Sequence, residues 1–143
     1  GAVEILHVWD CSGKTHYNQM YDSYLDNSDI IVIVFDLTSL ESWKVAQYWI
    51  TRSKLSSTTP VCLIGNKLDL ESTRRIKRRE VKLFLRQINR PFVFYTETSA
   101  LTGENCKSTL NMIVREGKRN QSNVVYTQKD ITSRRSDVGC VVV

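Results

Sequence analysis

The run IIVIVF, residues 30–35, decides the fold class of this chain. All of its residues are apolar and most are β-branched, without the alternation of a strand that has one face in water. Such a run is typical of a strand buried on both faces, inside a parallel sheet that helices cover on each side. Val61–Ile64 and Phe92–Tyr95 predict two shorter buried strands, and the loose alternation of Val3–Val8 predicts a further strand.

Helical patterns alternate with the later strands. Apolar residues recur at intervals of three and four in residues 43–50, 81–88 and 106–114. The order strand, loop, strand, helix, strand, helix, strand, helix predicts an α/β domain with a mostly parallel sheet flanked by helices. The periodicity ends near Lys118, and the polar sequence beyond it predicts a flexible tail. We therefore expect a domain over residues 1–117 and a tail over residues 118–143.

The composition of the 143 residues excludes several classes of protein. No apolar stretch approaches the ~18 residues of a membrane span. The cysteines and histidines show no spacing typical of a zinc site, and reduced cysteines fit a cytosolic protein best. Much of the net charge of +5 comes from a basic run between Arg74 and Lys82. That run lacks the aromatic residues that stack on bases, so no nucleic-acid partner is expected.

The loops that follow the strands are the candidates for a site, because ligands of an open parallel sheet bind outside the carboxyl ends of its strands. Three polar loops come in this order: Asp10-Cys11-Ser12-Gly13, Asn66-Lys67-Leu68-Asp69 and Glu97-Thr98-Ser99-Ala100. They match the D-x-x-G, N-K-x-D and E-x-S-A motifs of the small GTPases. The segments VFDLTSLESW, residues 34–43, and YWI, residues 48–50, resemble the Rab branch. The resemblance runs from Val3 to about Gly117 and implies a small G-domain of the P-loop NTPase type, with GTP or GDP and Mg²⁺ as ligands.

The resemblance assigns the guanine base to the second and third loops. Asp69 would accept hydrogen bonds from guanine N1–H and the exocyclic amine, a donor pair that adenine lacks, which gives discrimination on the order of 10⁴. Asn66 would bond the base edge and tie neighbouring loops together. The aliphatic stem of Lys67 would lie along one face of the base.

The third loop supports the same ligand. The resemblance implies that Ser99 orients Asp69 and that the backbone N–H of Ala100 reaches guanine O6. Leu101 departs from the family, which usually has a lysine there. A leucine can pack on the base but offers no ammonium, so we expect weaker affinity with unchanged base choice.

The triplet Gly13-Lys14-Thr15 is not a phosphate loop, although it ends like one. The motif G-x-x-x-x-G-K-[ST] would need a glycine where Val8 stands, and a carboxylate at Asp10 would repel phosphate. As part of a D-x-x-G motif the stretch has another role. Asp10 would hold Mg²⁺ through water, and the Gly13 N–H would meet the γ-phosphate. Loss of that phosphate would release the second switch, from Lys14 to about Asp26.

Lys14 stands where the family usually has its catalytic glutamine. That glutamine orients the attacking water by donating and accepting hydrogen bonds, whereas lysine has three donors and no acceptor. We therefore expect slow GTP hydrolysis.

The first strand of the family, its phosphate loop and switch one have no counterpart before Val3. In the family that strand lies mid-sheet, between the strands that correspond to Val3–Val8 and Ile30–Phe35. Without it, these two strands must close together or leave backbone groups unpaired, at a cost of ~1–3 kcal/mol for each buried group. We expect this stretch alone to bind GTP weakly or not at all.

The last four residues, beginning at Cys140, fit a C-a-a-X prenylation signal. A prenyl chain on Cys140, helped by Arg134 and Arg135, would attach the protein to the cytosolic face of membranes.

Together these features predict a Rab-like nucleotide-dependent switch in membrane trafficking, with effectors, an exchange factor and a GTPase-activating protein as partners. The alternative is a degenerate G-domain that only docks partner proteins, which Lys14 and the missing phosphate loop favour. A third class, an ATP-using P-loop enzyme, is disfavoured by residues 66–69.

Overall fold

The computed structural model describes residues 5–11, 21, 24, 25, 27–52, 58–88, 90, 93–123 and 138–142. At the two ends of the last gap, it describes the backbone of residues 122, 123 and 138–142 and not their side chains.

The described strands form one sheet in the order β1-β5-β2-β3-β4. Every pairing in it is parallel. The strands are β1 Leu6–Asp10, β2 Ile30–Asp36, β3 Val61–Asn66, β4 Val93–Glu97 and β5 Val138–Val142. The predicted α/β fold with a parallel sheet is confirmed, and all carboxyl ends therefore lie at one edge.

Within the described residues, three helices have complete bounds: α1 Leu40–Thr51, α2 Arg78–Gln87 and α3 Cys106–Asn123. Tyr21, Tyr24 and Leu25 are also helical. A 3₁₀ segment at Leu68–Thr73 follows β3. The first helix begins where the sequence predicts, because the Ser39 hydroxyl accepts a hydrogen bond from the backbone N–H of Ser42 at 3.2 Å.

The core lies on both faces of β2, as its uninterrupted apolar run predicts. Ile31, Ile33 and Phe35 point to one face, in a buried cluster with the tryptophans of α1 and with Val81 of α2. Ile30 and Val32 point to the other face, in a cluster with Ile113 of α3. Side chains alternate between the two faces of a strand. Because both faces of β2 are buried at these positions, the residues that point to either face have to be apolar.

The C-terminal residues differ from the predicted tail. Helix α3 continues past Gly117 to Asn123, and Val138–Val142 forms β5 instead of a chain end without structure. The described β1 runs from Leu6 to Asp10, two residues beyond the predicted end at Val8, whereas residues 3 and 4 of the predicted strand lie outside the described residues. The run VGCVV, residues 138–142, is short and distant from the other apolar runs, so the sequence alone does not predict a strand there.

Strand β5 lies between β1 and β2, where the sequence predicted a gap or a closure. Neither of those two outcomes occurs, because β5 pairs with both neighbours. None of the described helices is both long and apolar enough to cross a bilayer.

Candidate nucleotide-binding site

The site is built where three strands end at the same edge of the sheet. The register pairs Asp36 with Asn66 and Gly65 with Glu97, so the loops that follow β2, β3 and β4 leave the sheet side by side. The second and third sequence loops are thereby brought together, although they are about 30 residues apart in the chain.

Asn66 joins these two loops. Its Oδ1 accepts a hydrogen bond from the backbone N–H of Ala100 at 3.0 Å and another from the Thr98 hydroxyl at 3.3 Å. The backbone adds a bond from the Leu68 N–H to the Thr98 carbonyl at 3.0 Å. The Ala100 N–H, which the resemblance assigns to guanine O6, is thus directed to Asn66 here and must be shared or redirected when a base binds.

Asp69 is held by Ser99. The Ser99 hydroxyl donates to Asp69 Oδ1 at 2.5 Å and accepts from the backbone N–H of Thr102 at 3.1 Å. Ser99 is fully buried, whereas Asp69 lies at the exposed surface. A hydroxyl fixed in this way sets the plane of the carboxylate, which can accept the paired donors of a guanine from the solvent side.

Lys67 takes a backbone conformation that is unusual for a residue with a side chain. Its φ of 67° and ψ of 39° lie in the left-handed region. Its ammonium lies 2.6 Å from Oδ2 of Asp36, the last residue of β2. The other carboxylate oxygen, Oδ1, accepts from the backbone N–H and the hydroxyl of Thr38, both at 2.7 Å.

The environment of Asp36 favours its charged form. Partial burial would raise the pKa of Asp36, but the hydrogen bonds from Lys67 and Thr38 outweigh it and hold the pKa below its ordinary value. The sequence showed Asp36 as a polar residue at the end of an apolar strand and gave it no role. Its pairing with Lys67 depends on the β2–β3 register, which the sequence does not reveal.

The E-x-S-A motif likewise assigns no role to Glu97. Only 5% of its surface is exposed, and its carboxylate accepts two hydrogen bonds from Arg74 at 2.9 and 3.2 Å and one from the Tyr95 hydroxyl at 2.6 Å. Burial alone would raise the pKa of Glu97, but the bonds from Arg74 and Tyr95 hold it below the ordinary value. Burial and the bond to Glu97 together raise the pKa of Tyr95.

Gly65 is a further residue that sequence reasoning missed. A Cβ at this position would lie 2.7 Å from Leu37 Cδ2 and 3.1 Å from the Tyr95 hydroxyl. The glycine therefore allows β3 to pass close beneath the loop after β2. The signal was present, since it directly precedes the N-K-x-D loop.

Leu101 is 83% exposed and projects beyond the loop that holds Ala100. An apolar side chain in that position is available for a flat ligand to cover. Its contact with a base stays a prediction.

The phosphate side of the site is described only in part. Asp10 ends β1 and is paired in register with Val142 of β5. Gly13 and Lys14 lie outside the described residues, so their predicted roles have no structural account. Asp10 is an oxygen donor of the type that Mg²⁺ takes, and the described residues hold no group of three His, Cys, Asp or Glu able to bind a metal. A carboxylate such as that of Asp10 could hold a Mg²⁺ ion whose other ligands would be waters and phosphate oxygens.

Comparisons with known proteins agree with this geometry. The model of the Ras family matches residues 2–119. Circularly permutated Ras protein 1 of Dictyostelium discoideum is 34% identical to the chain over 123 residues, which make up 84% of this chain and 14% of that relative. The chain thus spans a small part of the length of this relative. The family match covers most of the chain, including all three motif loops, and the chain therefore belongs to the Ras family.

Proposed function

We propose that this chain supplies the base-recognising part of a guanine-nucleotide-dependent switch. The observation that carries the proposal is the Asp69 carboxylate, held at 2.5 Å by buried Ser99 beside the Asn66–Ala100 junction. Ras-family proteins bind guanine nucleotide, usually with Mg²⁺. Here Asp69 selects the base, Lys67 and Leu101 cover its faces, and Asp10 faces the metal and phosphate side.

A binding experiment with the full-length protein tests base choice. We expect GDP to bind on the order of 10⁴ times more tightly than ADP, because adenine would leave the carboxylate without its donors. Equal affinities for GDP and ADP would overturn the proposal. The variant Asp69→Asn tests the residue itself, because an amide presents one donor and one acceptor. It should weaken GDP binding and favour xanthosine diphosphate, whose base carries an oxygen in place of the exocyclic amine.

A control for that variant is Glu104→Gln. It removes one negative charge from the loop that contains Ser99, at an exposed side chain. We expect its GDP affinity to equal that of the wild type. If both variants lost GDP equally, the effect would be one of net charge rather than of base recognition.

We further propose that hydrolysis is slow because Lys14 cannot accept a hydrogen bond from the attacking water. Lys14→Gln in the full-length protein should raise the single-turnover rate by at least about tenfold, since a positioned acceptor contributes ~10²–10⁴. Lys14→Ala is the control, as it removes the charge without supplying an acceptor, and its rate should stay low. A wild-type rate unchanged by Lys14→Gln would contradict this part of the proposal.

The cellular role that we propose is a Rab-type switch acting in membrane trafficking at the cytosolic face of membranes. The support is the resemblance of residues 34–43 and 48–50 to the Rab branch. Effectors, an exchange factor and a GTPase-activating protein would be its partners. The competing role, a protein-docking domain without turnover, is favoured by Lys14 and is distinguished by the absence of nucleotide binding in the same experiment.

A further inference from the structure

The loop between β4 and α3 carries Ser99 and Ala100, two residues of the proposed base site. It leaves β4 after Glu97 and enters α3 at Cys106. Its two ends are joined by Asn105, whose side-chain Nδ2 donates a hydrogen bond to the backbone carbonyl of Glu97 at 2.9 Å. The last residue of the loop is thus bonded to the last residue of the strand that precedes the loop.

The backbone of Asn105 lies in the left-handed region, with φ at 59°. Asparagine tolerates this region better than most residues that have a Cβ. The Asn105 carbonyl accepts from the backbone N–H of Thr109 and from the Ser108 hydroxyl, both at 3.0 Å, and so belongs to the first turn of α3. Asn105 therefore turns the chain into the helix while its side chain reaches back to β4.

The strand end that Asn105 contacts is itself fixed in the sheet. The Glu97 carboxylate accepts two hydrogen bonds from Arg74. The next backbone N–H along the chain, that of Thr98, donates to the carbonyl of Gly65 in β3 at 2.9 Å. The bond from Asn105 to Glu97 therefore sets the start of α3 relative to the sheet and not relative to another loop.

Ser99 lies inside this closed loop, and each of its polar groups is bonded. Its backbone N–H donates to the Glu104 carbonyl at 3.1 Å, and its carbonyl accepts from the Gly103 N–H at 2.9 Å. Its hydroxyl donates to Asp69. The partners of the Ser99 backbone are the two residues directly before Asn105, so a shift of Asn105 moves the backbone that carries the Ser99 hydroxyl.

We propose that Asn105 is a positioning residue for guanine recognition, which acts through Ser99 to hold the Asp69 carboxylate in the plane of the base donors. The inference rests on the proposed function and adds a residue to the same site. Asn105 is exposed, and one neutral hydrogen bond at the surface adds little to the stability of a fold. Base selectivity, rather than overall stability, should therefore report its loss.

Affinities of the full-length protein for GDP and for inosine diphosphate test the inference. The inosine base keeps the N1–H and O6 of guanine and lacks the exocyclic amine, so the ratio of the two affinities measures the contact between that amine and Asp69. Asn105→Gly removes the side-chain amide and keeps the left-handed backbone, which glycine adopts freely. We expect the ratio to fall about two- to tenfold, the range for one neutral hydrogen bond.

An unchanged ratio in Asn105→Gly would overturn the inference, even if both affinities fell. A protein that is only less stable has fewer active molecules, and each of them keeps the wild-type preference. Asn105→Asp is a second variant with a side chain of the same size, whose ionised carboxylate cannot donate to the Glu97 carbonyl. Its ratio should fall as well, and the added charge does not affect the comparison because both ligands carry the same charge.

The matched control is Asn120→Ala. Asn120 makes the same type of bond near the other end of α3, from Nδ2 to the backbone carbonyl of Asp29 at 3.1 Å. Its ratio of GDP to inosine diphosphate affinity should equal that of the wild type. Equal falls in Asn105→Gly and Asn120→Ala would overturn the inference, because the effect would then belong to α3 as a whole.

The dependence on Ser99 is tested by Ser99→Ala, alone and combined with Asn105→Gly. If Asn105 acts through the Ser99 hydroxyl, Ser99→Ala already lowers the ratio and Asn105→Gly lowers it no further. Effects that multiply independently would overturn the inference. A wild-type protein without a preference for GDP over ADP would instead overturn the proposed function. A retained preference with an unchanged ratio in Asn105→Gly would overturn the inference alone.

Discussion

At the scale of a single residue, Asp36 fixes the position of the Lys67 side chain. Its carboxylate is anchored through Oδ1 by both donors of Thr38, which leaves Oδ2 directed at the Lys67 ammonium. Lys67 itself sits in a left-handed backbone conformation that few residues with a Cβ adopt. The ion pair therefore fixes the ammonium group of the Lys67 side chain, whose aliphatic stem is proposed to cover the base.

The variant Asp36→Asn tests whether the ion pair with Lys67 contributes to nucleotide binding. It keeps an acceptor for Thr38 and removes the charge that holds Lys67. We expect GDP affinity to fall about two- to fivefold at low salt, the range for a partly exposed ion pair. Titration of full-length protein with a fluorescent GDP analogue measures the change.

A matched control is Glu41→Gln, which removes one negative charge from the first turn of α1. Its GDP affinity should stay at the wild-type value. The effect of Asp36→Asn should shrink at high salt, because a half-exposed ammonium is screened. A loss of affinity that is the same at low and high salt would mean that Asp36 acts through the fold rather than through Lys67.

At the scale of elements, Glu97 connects three of them. It is the last residue of β4, and its carboxylate bonds Arg74 at the end of the 3₁₀ segment and lies 3.6 Å from Arg78 at the start of α2. The pair with Arg74 is nearly buried, with 5% and 13% of the two side chains exposed. A buried charge that loses its partner is strongly destabilising. The pair between Arg74 and Glu97 therefore holds the end of the 3₁₀ segment against β4.

Glu97→Gln should lower the free energy of unfolding by about 1.5–3 kcal/mol, the worth of hydrogen bonds to a charged group. Urea unfolding followed by circular dichroism measures the loss. Arg74 also pairs with Glu71, whose side chain is 68% exposed, and this offers a control on the same guanidinium. Glu71→Gln should cost less than about 1 kcal/mol. Equal losses in the two variants would contradict the importance assigned to burial.

The stability of the fold should also depend on pH through Glu97. Its pKa is held below the ordinary value of 4.5 in the folded state, so the unfolded chain takes up a proton first as the pH falls. The stabilisation is therefore complete above about pH 4.5 and is lost as the pH falls through the folded pKa. Urea midpoints measured from pH 7 downwards should fall less steeply for Glu97→Gln than for wild type. If the urea midpoints of the two proteins fell equally with pH, the pH dependence of stability would not come from Glu97.

The elements show what the sequence can and cannot predict. The apolar runs located β2, β3 and β4, and Ser39 located the start of α1, because these signals are local. The strands run further than predicted, to Asp36, Asn66 and Glu97, since polar residues at the edge still pair with the next strand. The bonds of Asp36 to Lys67 and of Glu97 to Arg74 cross between elements, and only the register of the sheet determines them.

At the scale of the whole molecule, strand order was the least predictable feature. The resemblance correctly implied a strand position between β1 and β2, and the sequence offered no early segment to fill it. The run that fills it is short and lies at the far end of the chain, where hydrophobic periodicity has too few residues to be informative. The parallel pairing of distant segments depends on tertiary structure rather than on local propensity, because buried backbone N–H and C=O groups require hydrogen-bond partners.

Removal of β5 tests this view of the molecule. A chain that ends at Asp137 lacks the strand that makes five residue pairs with β1 and three with β2. Because β1 is paired with β5 alone among the described strands, its amides should exchange far faster, by hydrogen exchange, than in the 143-residue chain. Each backbone group left buried and unpaired costs ~1–3 kcal/mol, so the melting temperature should fall as well.

The control for that truncation is a chain that ends at Val142, which keeps β5 and removes only the residue after it. Its exchange pattern and melting temperature should match those of the 143-residue chain. The alternative is that β1 closes onto β2 when β5 is absent, which would keep the β1 amides protected. Protection of β1 in the shorter chain would therefore show that β1 and β2 can pair directly, and that β5 is not required to hold β1 in the fold.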